Sequence, residues 1–212
     1  NNGDSTGPTR YNASSIEYNG KMYVFGGDTN NGRSNDLWSL DLTTNAWTEI
    51  TTSGTKPSAR SNHTTIIYDG WLVVFGGYDG SDKKDVWRLN LTQSTPAWNN
   101  IHDGTGGAPS ARYLHSSILY NGQMVMFGGN DGSYKDDTWT LDLTSYAWTQ
   151  LSPSGTKPGA RGLHTSILYD GKLVVFGGYD GYGKKNDVWS LDLTQSPPVW
   201  NEITTSGTKP SL

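Results

Sequence analysis

Cysteine is absent from the chain. That removes disulfides, thiolate metal sites and cysteine nucleophiles together, and it leaves the redox compartment open. Glutamate is scarce, with Glu17, Glu49 and Glu202 its only copies. No segment approaches the 18 or so apolar residues of a membrane-spanning helix, so no membrane partner is expected. No Lys/Arg run exceeds two residues and the net charge is −4. The basic stripe of a nucleic-acid binder is therefore missing, and no nucleic-acid partner is expected. There is no initiator Met and no signal peptide, which reads as a mature product or a fragment. No window shows helical periodicity.

What is present is glycine and aromatics. The 212 residues include 27 Gly, nine Trp and twelve Tyr, although only 33% of the chain is hydrophobic. This suits many short strands joined by tight turns, with rings filling the core. Abundant Asn, Ser and Thr with little Glu lean toward an extracellular setting. Three acceptor sequons, at Asn12, Asn62 and Asn90, matter only in a secretory pathway.

One unit occurs four times. The double glycines ending "VFGG" or "MFGG" fall at Gly27, Gly77, Gly129 and Gly178, in steps of 50, 52 and 49. Arg10, Arg60, Arg112 and Arg161 keep the same steps, and a Trp pair follows in each copy. Each unit reads as four short strands. The first two are joined by Asn19-Gly20, Asp69-Gly70, Asn121-Gly122 or Asp170-Gly171. These dipeptides accept positive φ at both centres of a type I′ turn. The second strand ends in the glycine pair, where a neighbour must come close. The third is "DLWSLDL" or its equivalent, alternating apolar and polar residues, and the fourth is "AWTEI" or its equivalent. Such a meander cannot bury its apolar faces alone, but it can stack on copies of itself. Twisted sheets stacked this way favour a radial arrangement.

The pattern "P-S-A-R-x-x-H", strand, "Y-D-G", strand ending "G-G", "N-D-x-W-x-L-D-L" and a final Trp resembles the kelch repeat. It covers nearly the whole chain, with a period near the 50 residues usual for kelch. Trp38, Trp87, Trp139 and Trp189 stand where kelch units often place Tyr. The resemblance implies an all-β, kelch-type β-propeller of four four-stranded antiparallel blades, about 8–55, 56–107, 108–156 and 157–208, in a single domain. It implies a role in binding, and catalysis does not follow from it. "EITTSGTKPS" occurs at Glu49–Ser58 and again at Glu202–Ser211. The chain thus runs from one blade boundary to another without a leftover strand. Three readings follow: part of a longer array, a ring completed by self-association, or a four-bladed ring closed alone.

Enzyme readings fare badly, and no cofactor is expected. Among kelch-like proteins, the galactose-oxidase type needs a Cys crosslinked to Tyr, which is unavailable here. The iron-holding Glu/Asp/His cluster of plant specifier proteins has no counterpart in spacing. His63, His115 and His164 share one repeat position and are the weak candidates for a metal; a hydrogen bond to a neighbouring link is the simpler role. The first blade has Ala13 there. His102 reads as a solvated loop residue. Clustered Asp in the loops matches no Ca²⁺ loop, and Asp36, Asp85, Asp137 and Asp187 read as turn or strand-start residues.

The copies differ most in the loops between second and third strands, which emerge with the blade links at one end. There sit Arg33, Tyr78, Lys83, Tyr134, Lys135, Tyr179, Tyr182 and Lys184. Tyr beside Asp, Asn and Lys makes a generic binding surface. Trp71, at the opposite end where sister blades use Lys21, Gln123 and Lys172, is a further candidate contact. The expected function is non-catalytic protein–protein interaction through the long-loop face. The alternatives are a carbohydrate-binding protein with stacking Tyr and Trp, and a self-assembling repeat protein and homo-oligomer whose blade edges associate.

Overall fold

The structure, a computed structural model, describes residues 7–208 and 210. The described residues fall into two compact units, divided between residues 103 and 104. Among the described residues no helix is long and apolar enough to cross a membrane.

In the first unit, β1 (Ser14–Tyr18) and β2 (Lys21–Phe25) form a hairpin. The loop after β2 holds a two-residue ribbon, β3 (Asp28–Thr29) with β4 (Gly32–Arg33). β5 (Leu37–Asp41) and β6 (Trp47–Glu49) complete the first antiparallel sheet, ordered β1-β2-β5-β6. The second sheet repeats this as β7 (Thr64–Tyr68), β8 (Trp71–Phe75), β9 (Val86–Asn90) and β10 (Trp98–His102). In the second unit, the third sheet is β11 (Ser116–Tyr120), β12 (Gln123–Phe127), β13 (Thr138–Asp142) and β14 (Trp148–Leu151). β15 (Ser154–Gly155) lies in the following link. The fourth sheet holds β16 (Thr165–Tyr169), β17 (Lys172–Tyr179), β18 (Lys184–Asp192) and β19 (Val199–Glu202).

The turn dipeptides do what their chemistry dictates. Asn19 and Gly20 have φ of 51° and 73°, and Asp69-Gly70, Asn121-Gly122 and Asp170-Gly171 follow suit. Positive φ at both centres is the type I′ turn, whose twist matches that of the flanking strands. Register is fixed accordingly, with Tyr18 opposite Lys21 and Tyr68 opposite Trp71.

Alternation then sends one set of side chains to each face, and within each unit the two blades pack on one another. In the first unit Phe25 and Leu37 of the first blade pack with Leu72, Val74, Leu89 and Trp98 of the second. In the second unit Ile118, Val125 and Phe127 pack with Leu173, Val175, Leu191 and Trp200. Phe127 is fully buried, and its ring lies 5.1 Å from that of Trp200. Complete burial of such a ring stabilises by about 1.5–3 kcal/mol.

Both glycines of each pair make this packing possible, the second as a donor and the first by its close approach. The Gly27 N–H donates to the Arg60 carbonyl across the blade boundary, and the Gly129 N–H to that of Arg161. At Gly128, which has φ of 67°, a Cβ would sit 2.7 Å from the Arg161 carbonyl oxygen. Gly128→Ala is therefore expected to destabilise by roughly 1–3 kcal/mol. Gly183→Ala, where a Cβ meets nothing within 4 Å, should stay close to wild type. Calorimetric melting of both variants checks this, and equal melting temperatures would refute the close-approach role.

Three features depart from expectation. The fourth sheet has five strands: β15 pairs in parallel with β19, Ser154 opposite Val199 and Gly155 opposite Trp200. The equivalent link in the first unit makes a parallel bridge between Ser53 and Ala97. The link phrase is thus a clasp on the outer edge of the next blade, because its N–H groups find acceptors there, Ser53 at Pro96 and Ser154 at Pro198. Second, β17 and β18 run on past the glycine pair, with a register shift between Phe176 and Gly178. Third, His102 is the last residue of β10, beyond a bulge at Asn100, and not a loop residue.

Candidate functional site

Each link carries an arginine inward. Arg60, Arg112 and Arg161 are 0, 1 and 2% exposed. Each guanidinium forks onto one aspartate, Arg60 onto Asp85 at 2.7 and 2.8 Å and Arg112 onto Asp137 at 2.6 and 2.9 Å. Arg161 does the same with Asp187, and Arg10 with Asp36. The guanidinium also donates to the carbonyl of the first paired glycine, Gly26, Gly76, Gly128 or Gly177. The third-strand Trp completes the knot. Trp38, Trp87, Trp139 and Trp189 donate Nε1–H to the same aspartates at 2.6–2.8 Å. These aspartates are thus more than strand-start residues. Each is the hub of a link, a glycine pair and an indole. Burial opposes ionisation at Asp36, but Arg10, Ser34 and Trp38 outweigh it and hold the carboxyl at about 2. Arg60, Arg112 and Arg161 likewise overcome burial and lower Asp85, Asp137 and Asp187.

The shared histidines are also anchored. His63 Nε2 lies 2.7 Å from Ser14 Oγ of the preceding blade, and His164 Nε2 lies 2.8 Å from Ser116 Oγ. Their rings meet Phe25 and Phe127 edge-on at 5.2 and 5.3 Å. His115 is buried as well, at 6% exposure. Burial, with a nearby arginine, pushes His63 down to about 3 and His164 to about 4. A neutral imidazole suits a metal, but the Nε2 of these two is already engaged. Among the described residues no three His, Cys, Asp or Glu side chains gather to hold an ion.

The long loops lie beside the links, as the antiparallel bridges Ser61–Tyr78, Tyr113–Asn130 and Gly162–Tyr179 show. Asp-Gly turns shape them. Asp79 Oδ1 accepts the Ser81 N–H, and Asp180 Oδ1 accepts those of Tyr182 and Gly183. Lysines close the same loops: Lys83 pairs with Asp79 at 2.8 Å, Lys135 with Asp131 at 2.9 Å and Lys185 with Asp180 at 2.6 Å. The Lys185 contact, then the two N–H groups, lower the Asp180 pKa. Asp79, Asp131 and Asp180 are thus consumed by their own loops.

In the first unit, the Arg33 guanidinium stacks 4.6 Å over the Tyr78 ring. In the second, Tyr134 and Tyr179 meet edge to face at 5.8 Å, and the Tyr179 hydroxyl donates to the Gly181 carbonyl. Tyr182 stands 98% exposed. Of the residues singled out from sequence, Arg33 with Tyr78 and Tyr134 with Tyr179 come together. Lys83 and Lys135 are tied to their loops. Lys184 is exposed in β18, opposite Tyr179, and its neighbour Lys185 makes the loop ion pair instead. The fourth loop has one more residue between its Asp and the pairing Lys, which a count from the other loops misses. At the opposite end, Trp71 is half-buried with Arg88 stacked 4.1 Å over its ring. Of the sequon residues, Asn12 is exposed, Asn62 is partly buried, and Asn90 Oδ1 caps the Thr92 N–H.

The family described as FBX42, beta-propeller domain, matches residues 9–200. The chain belongs to this family. It is an all-β, kelch-type β-propeller chain of four antiparallel blades. Over 153 residues, 67% of the chain, it is 30% identical to a leucine-zipper-like transcriptional regulator 1 homolog of Drosophila melanogaster, covering 15% of that protein. It is 31% identical over 142 residues, 60% of the chain, to a flagellar outer arm dynein alpha chain of Chlamydomonas reinhardtii, covering 3% of it. It is 33% identical over 130 residues, 58% of the chain, to the serine/threonine-protein phosphatase BSL2 of Arabidopsis thaliana, covering 13% of it. The chain thus spans a small fraction of each relative, and those three names describe very different whole proteins.

Proposed function

We propose that this propeller chain is a non-catalytic protein-binding module that engages partners through the tyrosines of its long loops. The observation that carries this reading is the held Tyr set: Tyr78 under Arg33, and Tyr134 against Tyr179. Rings already fixed by a neighbour lose little freedom when a partner arrives, so their contact area is effective. The Asp-Gly turns and Lys pairs hold the loop backbones beneath them. The family supports a binding role, and the same fold inside a regulator, a motor chain and a phosphatase fits a module that brings partners to diverse proteins. No reactive constellation competes with this reading among the described residues, where the aspartates and histidines serve packing.

The test is selection of binders from a random peptide display library against the 212-residue chain. Binding of the selected peptides should weaken about 10- to 30-fold in Tyr78→Ala or Tyr179→Ala. It should be unchanged in Lys172→Ala, beside a tight turn at the other end. Equal binding by all variants would remove the assigned face. Competition by simple sugars would instead favour the carbohydrate reading.

A further inference from the structure

Equivalent faces of the blades are covered unequally. The first two strands of a blade present one set of side chains to the blade that follows. In the first blade Ile16, Tyr23 and Phe25 meet the second blade, and in the third Ile118, Tyr120, Val125 and Phe127 meet the fourth. Phe25 and Phe127 are 1 and 0% exposed, each against a Trp and a His of the following blade. In the fourth blade these positions are Ile167, Tyr169, Val174 and Phe176. Ile167 is 61% exposed, Tyr169 69% and Phe176 38%, with Leu163 beside them at 58%. A cavity of about 360 Å³ opens there, lined by Leu163, Phe176, Gly178, Tyr179 and Asn186 among others. A contiguous apolar patch of this kind marks an interaction site.

The repeat states what such a face accepts. In both seats seen, the cover brings a fourth-strand Trp, apolar residues of the second and third strands, and a link Arg whose carbonyl receives a glycine N–H. The first blade carries the same set. Met22, Leu40 and Trp47 stand where the fourth blade has Leu173, Leu191 and Trp200. The latter three are 0, 0 and 1% exposed, whereas Met22, Leu40 and Trp47 are only partly buried. Arg10 provides the link carbonyl. A third element agrees. Residues 49–55 and 202–208 have the same sequence, and the first copy clasps the outer edge of the next blade through Ser53. The second copy is exposed throughout.

We infer that the exposed face of the fourth blade docks the first blade of a second copy of this chain. The 202–208 segment clasps the outer edge of that blade at Trp47, as Ser53 clasps Trp98. The contact is head-to-tail, so each copy both gives and receives, and a pair closes when the rotation permits. One feature weakens the fit: the first blade has Ala13 in place of the histidine. Thr165, the counterpart of Ser14 and Ser116, therefore meets no imidazole. Supplying that ring should tighten the contact.

Light scattering of the 212-residue chain across a concentration range tests this. The expected mass is about twice the 23.1 kDa of the chain, or larger, falling toward the monomer on dilution. Ile167→Lys, at an exposed position that folding tolerates, should weaken association at least tenfold with an unchanged melting temperature. Ala13→His should strengthen it about three- to tenfold, through one hydrogen bond and one ring contact. A monomer at every concentration would overturn the inference. Association indifferent to Ile167→Lys, or not strengthened by Ala13→His, would overturn it too.

Discussion

Arg112→Met is expected to lower the stability of the chain by about 3–5 kcal/mol, a fall in melting temperature of roughly 6–20 °C. The guanidinium is 1% exposed and makes several contacts at once: it donates to both Asp137 oxygens, the Gly128 carbonyl, and the carbonyl and hydroxyl of Ser110. Methionine fills much of the volume but returns none of them. Asp137 keeps the Trp139 N–H and a backbone N–H, and a carboxylate in that position was ionised because Arg112 outweighed its burial. Removing one partner of a buried pair costs more than the pair is worth, since the survivor stays desolvated. Arg112→Met combined with Asp137→Asn should therefore lose less than the sum of the single variants. Additivity in that cycle, or a loss below about 1 kcal/mol as for an exposed pair, would show the knot to be dispensable. Added salt should leave the difference nearly unchanged, because the pair is screened little.

The same knot marks the limit of what the chain's letters reveal. Repeats, turn dipeptides and strand alternation are local, and each is visible in a window of ten residues. Four copies turned weak signals into one architecture. The Arg and Asp of the knot are 25 or 26 residues apart, and neither looks unusual by itself. Their identical recurrence is the available signal, and it fits a local turn role as well as a long-range pair. The parallel clasp of Ser154 on Val199 spans 45 residues and uses backbone groups, which carry no sequence signature. In the loops, composition singled out the tyrosines, while the Arg33–Tyr78 stack depends on two blades meeting. The exposed face of the fourth blade was hidden for another reason. Ile167 and Phe176 have the same identities as their buried counterparts Ile66 and Phe75, and only burial separates them.

Stability is also expected to fall by about 2 kcal/mol for each of His63 and His164 between pH 7.5 and pH 5. The cause is the depressed pKa of both imidazoles, about 3 and about 4 against an ordinary 6.5. Below pH 6.5 the unfolded chain takes up a proton at each ring, while the folded chain stays neutral down to its own pKa. Protons thus favour the unfolded state, and stability present above pH 6.5 drains away as pH falls toward 4 for His164 and 3 for His63. The aspartates act in a separate window. Asp36, Asp85, Asp137 and Asp187 are lowered from 3.8, so their contribution is intact above that value and is lost only below it. A decline between pH 7.5 and 5 consequently belongs to buried histidine. His63→Gln retains a polar group for Ser14 Oγ but no titration, so it should remove about 2 kcal/mol of the decline while lowering stability at neutral pH. Urea unfolding at the two pH values decides it. Equal midpoints in the wild type, or an unaltered decline in His63→Gln, would mean that the rings sit in water and that the packing of Phe25 and Phe127 against them is looser than the distances state.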